Sequence, residues 1–116
     1  MRYADGFLIP IPTKNVKAYT KMARMGKRLW LKHGALDYQE CVVEERKPAF
    51  GIPFPRGLRV RSGETVVLAW IVFRSKAHRN AVNAKVMKAM GNTPCGEPPF
   101  DCKRLLYGGF SVIAGK

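Results

Sequence analysis

Acidic side chains are scarce in this chain. Eight Asp and Glu stand against twenty-one Lys and Arg, leaving a formal charge of +13. Such a surface repels basic partners and attracts anionic ones. No apolar run approaches the ~20 residues that cross a bilayer, which excludes a transmembrane helix and membrane insertion. The first residues are no export signal either, because Asp5 and Gly6 interrupt the apolar stretch and Pro10 and Pro12 follow. Histidine is limited to His33 and His78, and cysteine to Cys41, Cys95 and Cys102. Those spacings lack the close ligand pairs of a structural zinc, so no metal is expected. An odd cysteine count without an export signal points to reduced thiols in the cytoplasm. Cys41 then reads as a small core residue, and the other two as loop residues. No Ser/His/Asp or Cys/His arrangement can be assigned from spacing, and no cofactor is expected.

What remains is a single globular domain over residues 1–116, 47% apolar and 25% charged. At that size folding hides roughly 65% of the unfolded surface. Residues 3–11 alternate as a strand whose prolines require an edge or an exit from the sheet. Thr13 or Asn15 offers an N-cap. Val16, Tyr19, Ala23, Gly26, Trp30 and His33 then recur at three and four, one face of an amphipathic helix stopped by Gly34. A second strand occupies 36–43. Glu44 to Gly63 is rich in proline and glycine, with Phe50, Phe54 and Leu58 as apolar anchors for a packed excursion. Thr65 to Arg74 is the strongest strand. Ser75 caps a second helix running to about Met90, a breaker-rich loop spans Gly91 to Pro99, and Leu105 to Ala114 supplies the last strand.

The order is β-α-β-β-α-β, an α+β ferredoxin-like domain with a four-stranded antiparallel sheet. Both faces of the 65–74 and 105–114 strands are apolar. Two helices cover one face of such a sheet. The other must meet something, and a symmetric homodimer joined through the sheets is the simplest solution.

Several runs sharpen this reading. Asp5-Gly6-Phe7 with Pro10 and Pro12, Trp30 to Leu36, Tyr38-Gln39-Glu40-Cys41, Trp70-Ile71-Val72, His78 to Met87 and Tyr107-Gly108-Gly109-Phe110 follow one another in order. Along nearly its whole length the chain resembles the bacterial YbaA-like proteins, the domain of unknown function 1428 family. The resemblance implies a dimeric α+β barrel, an architecture shared with small cofactor-free monooxygenases and with proteins that only bind. It implies no particular activity. The loop after Met90 is shorter than that pattern and the positive charge stronger, so a pocket wall or a charge-borne property belongs to this chain.

Candidate residues each carry a bland account beside a functional one. His33, at a helix end, is a cap or a weak catalytic candidate. His78, in a first helical turn, is a packed ring or a neutral general base. Asp5 and Glu40 are carboxylates inside apolar strands, either acids in a pocket or partners of a base such as Lys103 or Arg104. Tyr38, Trp70, Tyr107 and Phe110 either pack the core or line an apolar cavity between sheet and helices, where a small molecule would bind. Asn83 either orients such a ligand or bonds a neighbouring backbone group. Lys14, Lys17, Lys21, Arg24, Arg28 and Lys32 follow a helical rhythm opposite the apolar face. They form a solvated face or a surface for weak, salt-sensitive association with nucleic acid or an acidic partner. Interleaved aromatics for base stacking are missing.

Overall fold

A computed structural model of the chain describes residues 1–91 and 99–116. Cys95 and most of the breaker-rich loop lie outside the described residues. The frame is the pairing of β1 (Tyr3–Pro12) with β3 (Glu64–Phe73), antiparallel over ten residues from Tyr3↔Phe73 to Pro12↔Glu64. β2 (Asp37–Val42) joins the free side of β3, and β4 (Leu106–Ser111) the free side of β1. The sheet order is β2-β3-β1-β4, antiparallel throughout. Between β1 and β2 runs α1 (Val16–Lys32), and between β3 and β4 runs α3 (Lys76–Met90). A single turn, α2 (Phe54–Gly57), lies in the excursion before β3. No helix among the described residues is long and apolar enough to cross a membrane.

The prolines of β1 find a local solution. β4 pairs with β1 only as far as Leu8↔Leu106, so Pro10 and Pro12 fall where β1 has a neighbour on one side alone. Gly34 stops α1 at a φ of +115°, and Ala35 N–H returns to the Trp30 carbonyl at 2.9 Å. Ser75 caps α3 by accepting the His78 N–H at 3.0 Å. Asn15 does not cap α1 with its side chain. It sits in a helical conformation at the end of a 3-10 turn, and its amide donates instead to the Pro99 carbonyl at 2.9 Å.

Alternation along β1 and β3 divides the side chains between two faces. Ile9, Ile11, Val67, Ala69, Ile71 and Phe73 point to the helices and are buried. Tyr19 of α1 packs at one end of this layer, and Val82 and Val86 of α3 at the other, with Phe7 touching both clusters. Each large side chain buried there contributes roughly 1.5–3 kcal/mol. The opposite face carries Leu8, Leu68, Trp70, Val72, Leu106 and Phe110. Leu68, Leu106 and Phe110 are 38%, 51% and 59% exposed. At one end α2 packs on β3, and the outward Val66 and Pro10 are buried beneath the chain itself.

Three expectations change here. Cys41 is exposed, because β2 is an edge strand and Cys41 stands opposite Leu68 on the outward face. Phe50 and Phe54 do not anchor the excursion. Both are exposed, Phe50 at 89%, and Pro55 is the residue that inserts. The last strand is shorter than 105–114, ending at Ser111 where its partner β1 begins at Tyr3.

The start of β3 is fastened to the segment before β4 by an ion pair. Arg104 donates to both carboxylate oxygens of Glu64, at 2.7 and 2.9 Å, and Arg61 N–H adds a third bond at 2.6 Å. These bonds hold Glu64 at about 2, below its ordinary 4.5. A depressed carboxylate stabilises the fold above its unfolded pKa, and that contribution is lost as pH falls from about 4.5 toward 2. Arg104→Met should therefore move the acid-unfolding midpoint, followed by circular dichroism, to higher pH. The two proteins should converge in stability below pH 2. Superimposable acid curves would contradict this role for the pair.

Candidate functional site

On the helix side, between α1 and the edge strand β2, lies a cleft of about 510 Å³. Tyr38 and Glu40 are two apart on β2, so both point toward the helices, opposite Ile71 and Ala69. Tyr19 meets them from the buried face of α1. The Tyr19 hydroxyl donates to one oxygen of Glu40, and the Tyr38 hydroxyl donates to the other at 2.5 Å. Burial raises the pKa of both phenols well above the ordinary tyrosine value. Their bonds to Glu40 and its negative charge push the same way. Both tyrosines are therefore neutral donors at physiological pH, and among the described residues the Glu40 carboxyl group is held by phenols and by no cation.

Space for this arrangement comes from α1. Ala23 and Gly26 lie on its buried side between Tyr19 and Trp30, and a Cβ at Gly26 would stand 2.6 Å from the Tyr38 hydroxyl. Trp30 packs on the Tyr38 ring with centroids 6.0 Å apart. Arg24 and Lys27, both exposed, form the rim. Neither makes an ion pair or hydrogen bond among the described residues.

A second polar group sits beyond Phe7. Asp5, 1% exposed, accepts from Arg79 Nη1 at 2.7 Å and from the Tyr107 hydroxyl at 3.0 Å. Arg79 also donates to Tyr107 at 2.7 Å and lies over the Tyr3 ring at 4.9 Å. This group ties α3 to β1 and β4. A buried charge paired in this way costs about 3–5 kcal/mol to orphan, so a structural role accounts for it.

The residues singled out from sequence are thus dispersed. Tyr38 lines the cleft. Trp70 stands opposite Gly6 and Gln39 on the outer face, and Phe110 shares that face, so neither is between sheet and helices. Tyr107 belongs to the Asp5 group. Asn83 accepts the Trp30 indole N–H at 3.0 Å, joining α3 to α1. His78 accepts the Arg74 N–H through Nδ1 at 3.0 Å and packs edge-on against Phe73. Burial lowers its pKa, with Arg74 and Lys85 adding to the effect. His33 is the C-cap of α1. Asp5 and Glu40 pair with neither Lys103 nor Arg104, because Arg104 is taken by Glu64. Lys14, Lys17, Lys21, Arg24, Arg28 and Lys32 are exposed as their rhythm implies. Sequence reasoning missed Tyr19 as a site residue. The signal was there in Ala23 and Gly26, small residues that leave room on an otherwise bulky helix face.

Comparison with known proteins places these residues in a family. The family described as "Protein of unknown function (DUF1428)" matches residues 2–102. The chain belongs to the DUF1428 family. The uncharacterized protein YbaA of Escherichia coli (strain K12) is 36% identical over 114 residues, covering 97% of each chain. YbaA of Shigella flexneri matches to the same extent. Among solved structures, the de novo designed protein Foldit4 has a TM-score of 0.49 and 12% identity, covering 97% of this chain and 99% of its own. The DUF1428 match includes Tyr19, Tyr38 and Glu40 and ends before β4.

Gly26 provides a test of the packing. An added methyl gains about 0.5–1 kcal/mol of helix preference, and crowding the Tyr38 hydroxyl costs roughly 1–3 kcal/mol. Gly26→Ala should therefore destabilise the wild-type protein in urea unfolding. In a Tyr38→Phe background, which removes the crowded oxygen, the same substitution should stabilise. Equal effects in both backgrounds would show that the hydroxyl does not limit residue 26.

Proposed function

We propose that this chain binds a small organic molecule in the cleft between α1 and β2. The binding unit is a ferredoxin-like domain paired with a second copy, sheet face to sheet face, as a dimeric α+β barrel. One observation carries the binding reading: a carboxylate bracketed by two phenols, with no ion-pair partner among the described residues, faces an open cleft of about 510 Å³. That volume lies within the range of small-molecule sites, roughly 300–1,000 Å³. A fragment screen by NMR should find ligands whose shifts map to Tyr19, Tyr38 and Val42. Hits confined to other surfaces would refute the assignment.

Support for pairing comes from the outer face. Leu8, Leu68, Trp70, Leu106 and Phe110 form an apolar surface that isolated proteins rarely leave in water. The cations of α1 lie beyond the other side of the sheet, so two copies can approach there without bringing those stripes together. Sedimentation at micromolar concentration should give a dimer, and Leu68→Arg a monomer with the cleft shifts intact. A monomeric wild-type protein would remove this part of the reading.

A second reading rests on Lys17, Lys21, Arg28 and Lys32, which are exposed and without ion-pair partners among the described residues. Such a stripe holds polyanions weakly through counterion release. Reversing charge at Lys17, Lys21 and Arg28 should abolish low-salt retention on immobilised RNA and leave fragment binding unchanged. Undiminished retention would dismiss the stripe as a solvated face.

A further inference from the structure

The hydrogen-bond bookkeeping of the cleft defines what it can hold. A hydroxyl has one proton to give. Tyr19 and Tyr38 both give theirs to Glu40, and Thr20, which also lines the cleft, gives its own to the Val16 carbonyl at 2.8 Å. An ionised Glu40 only accepts. Four side chains therefore present oxygen lone pairs to the interior and no free proton. The rim is the reverse. Arg24 and Lys27 carry positive charge and donors committed to nothing among the described residues. Between floor and rim the walls include Ala23, Leu31, Val42 and Val67, which are apolar.

We infer that the cleft takes an aromatic acid bearing a hydroxyl or amino group at its far end. The donor group reaches the Glu40–Tyr19–Tyr38 oxygens, the ring lies against the apolar walls, and the acid group meets Arg24 and Lys27. A ligand entering the other way would set its anion against Glu40 and leave both cations unpaired, so the two ends are not interchangeable. An arene without the donor leaves desolvated acceptors unmatched. Sites built to bond a polar hydrogen discriminate strongly against the analogue that lacks it. The inference rests on the small-molecule reading of the cleft and adds the polarity of the ligand.

Calorimetry on the full wild-type chain can test it with four probes: 4-hydroxybenzoate, 4-aminobenzoate, benzoate and 4-methoxyphenol. The first two should bind at least about tenfold more tightly than the last two, the size of one hydrogen bond to a charged group, Glu40 for benzoate and the rim cations for 4-methoxyphenol. Glu40→Gln should shrink the preference for 4-hydroxybenzoate over benzoate. Arg24→Gln with Lys27→Gln should instead shrink its preference over 4-methoxyphenol. Benzoate binding as well as 4-hydroxybenzoate, or an unchanged ratio in Glu40→Gln, overturns the inference while leaving a small-molecule cleft in place. Failure of all four probes overturns it too. The NMR fragment screen, run with aromatic acids left out of the library, then decides separately whether the cleft binds anything.

Discussion

Ten paired residues of β1 and β3 set the terms for everything else in this fold. Once Tyr3 stands opposite Phe73 and Pro12 opposite Glu64, the two-residue period of a strand decides which side chains meet the helices. A slip of β3 by one residue against β1 would turn Ile71 and Phe73 outward and bring Leu68 and Trp70 in. β2 inherits its facing from β3, and β4 from β1. The positions of Glu40, Tyr38 and Tyr107 are thus consequences of that central register.

The helices then place two polar groups at separate positions under the same layer. One is closed: Asp5 is buried with an arginine and a tyrosine, and its hydrogen-bonding capacity is spent within the fold. The other is open. Among the described residues Glu40 meets two phenols and no cation, and it faces a cleft whose cationic residues stay at the rim. The contrast follows from strand position. Asp5 lies on the inner strand β1 under α3, whereas Glu40 lies on the edge strand β2, where α1 carries Ala23 and Gly26 and leaves space.

Much of the secondary structure was legible from the sequence. The apolar face from Val16 to Trp30, the stop at Gly34 and the cap at Ser75 are local signals, and each operates as its chemistry implies. Parity also placed Glu40 on the same side as Tyr38. Less legible was which face of the strongest strand met the helices, because both faces of 65–74 are apolar. That ambiguity is why Trp70 and Phe110 were grouped with Tyr38 and Tyr107, although they occupy the opposite surface. Cys41 was misplaced for a related reason: composition cannot say that β2 is an edge strand.

The sequence by itself determined the family, the two long helices with the stop at Gly34 and the cap at Ser75, the excess of positive charge and its rhythm on α1. These rest on short-range periodicity and residue type. Tertiary structure alone decided which partners these carboxylates found, Arg79 for Asp5, Arg104 for Glu64 and two phenols for Glu40. Those contacts join residues up to 74 positions apart. Their geometry follows from how sheet and helices stack in three dimensions, and no local pattern along the chain encodes that stacking.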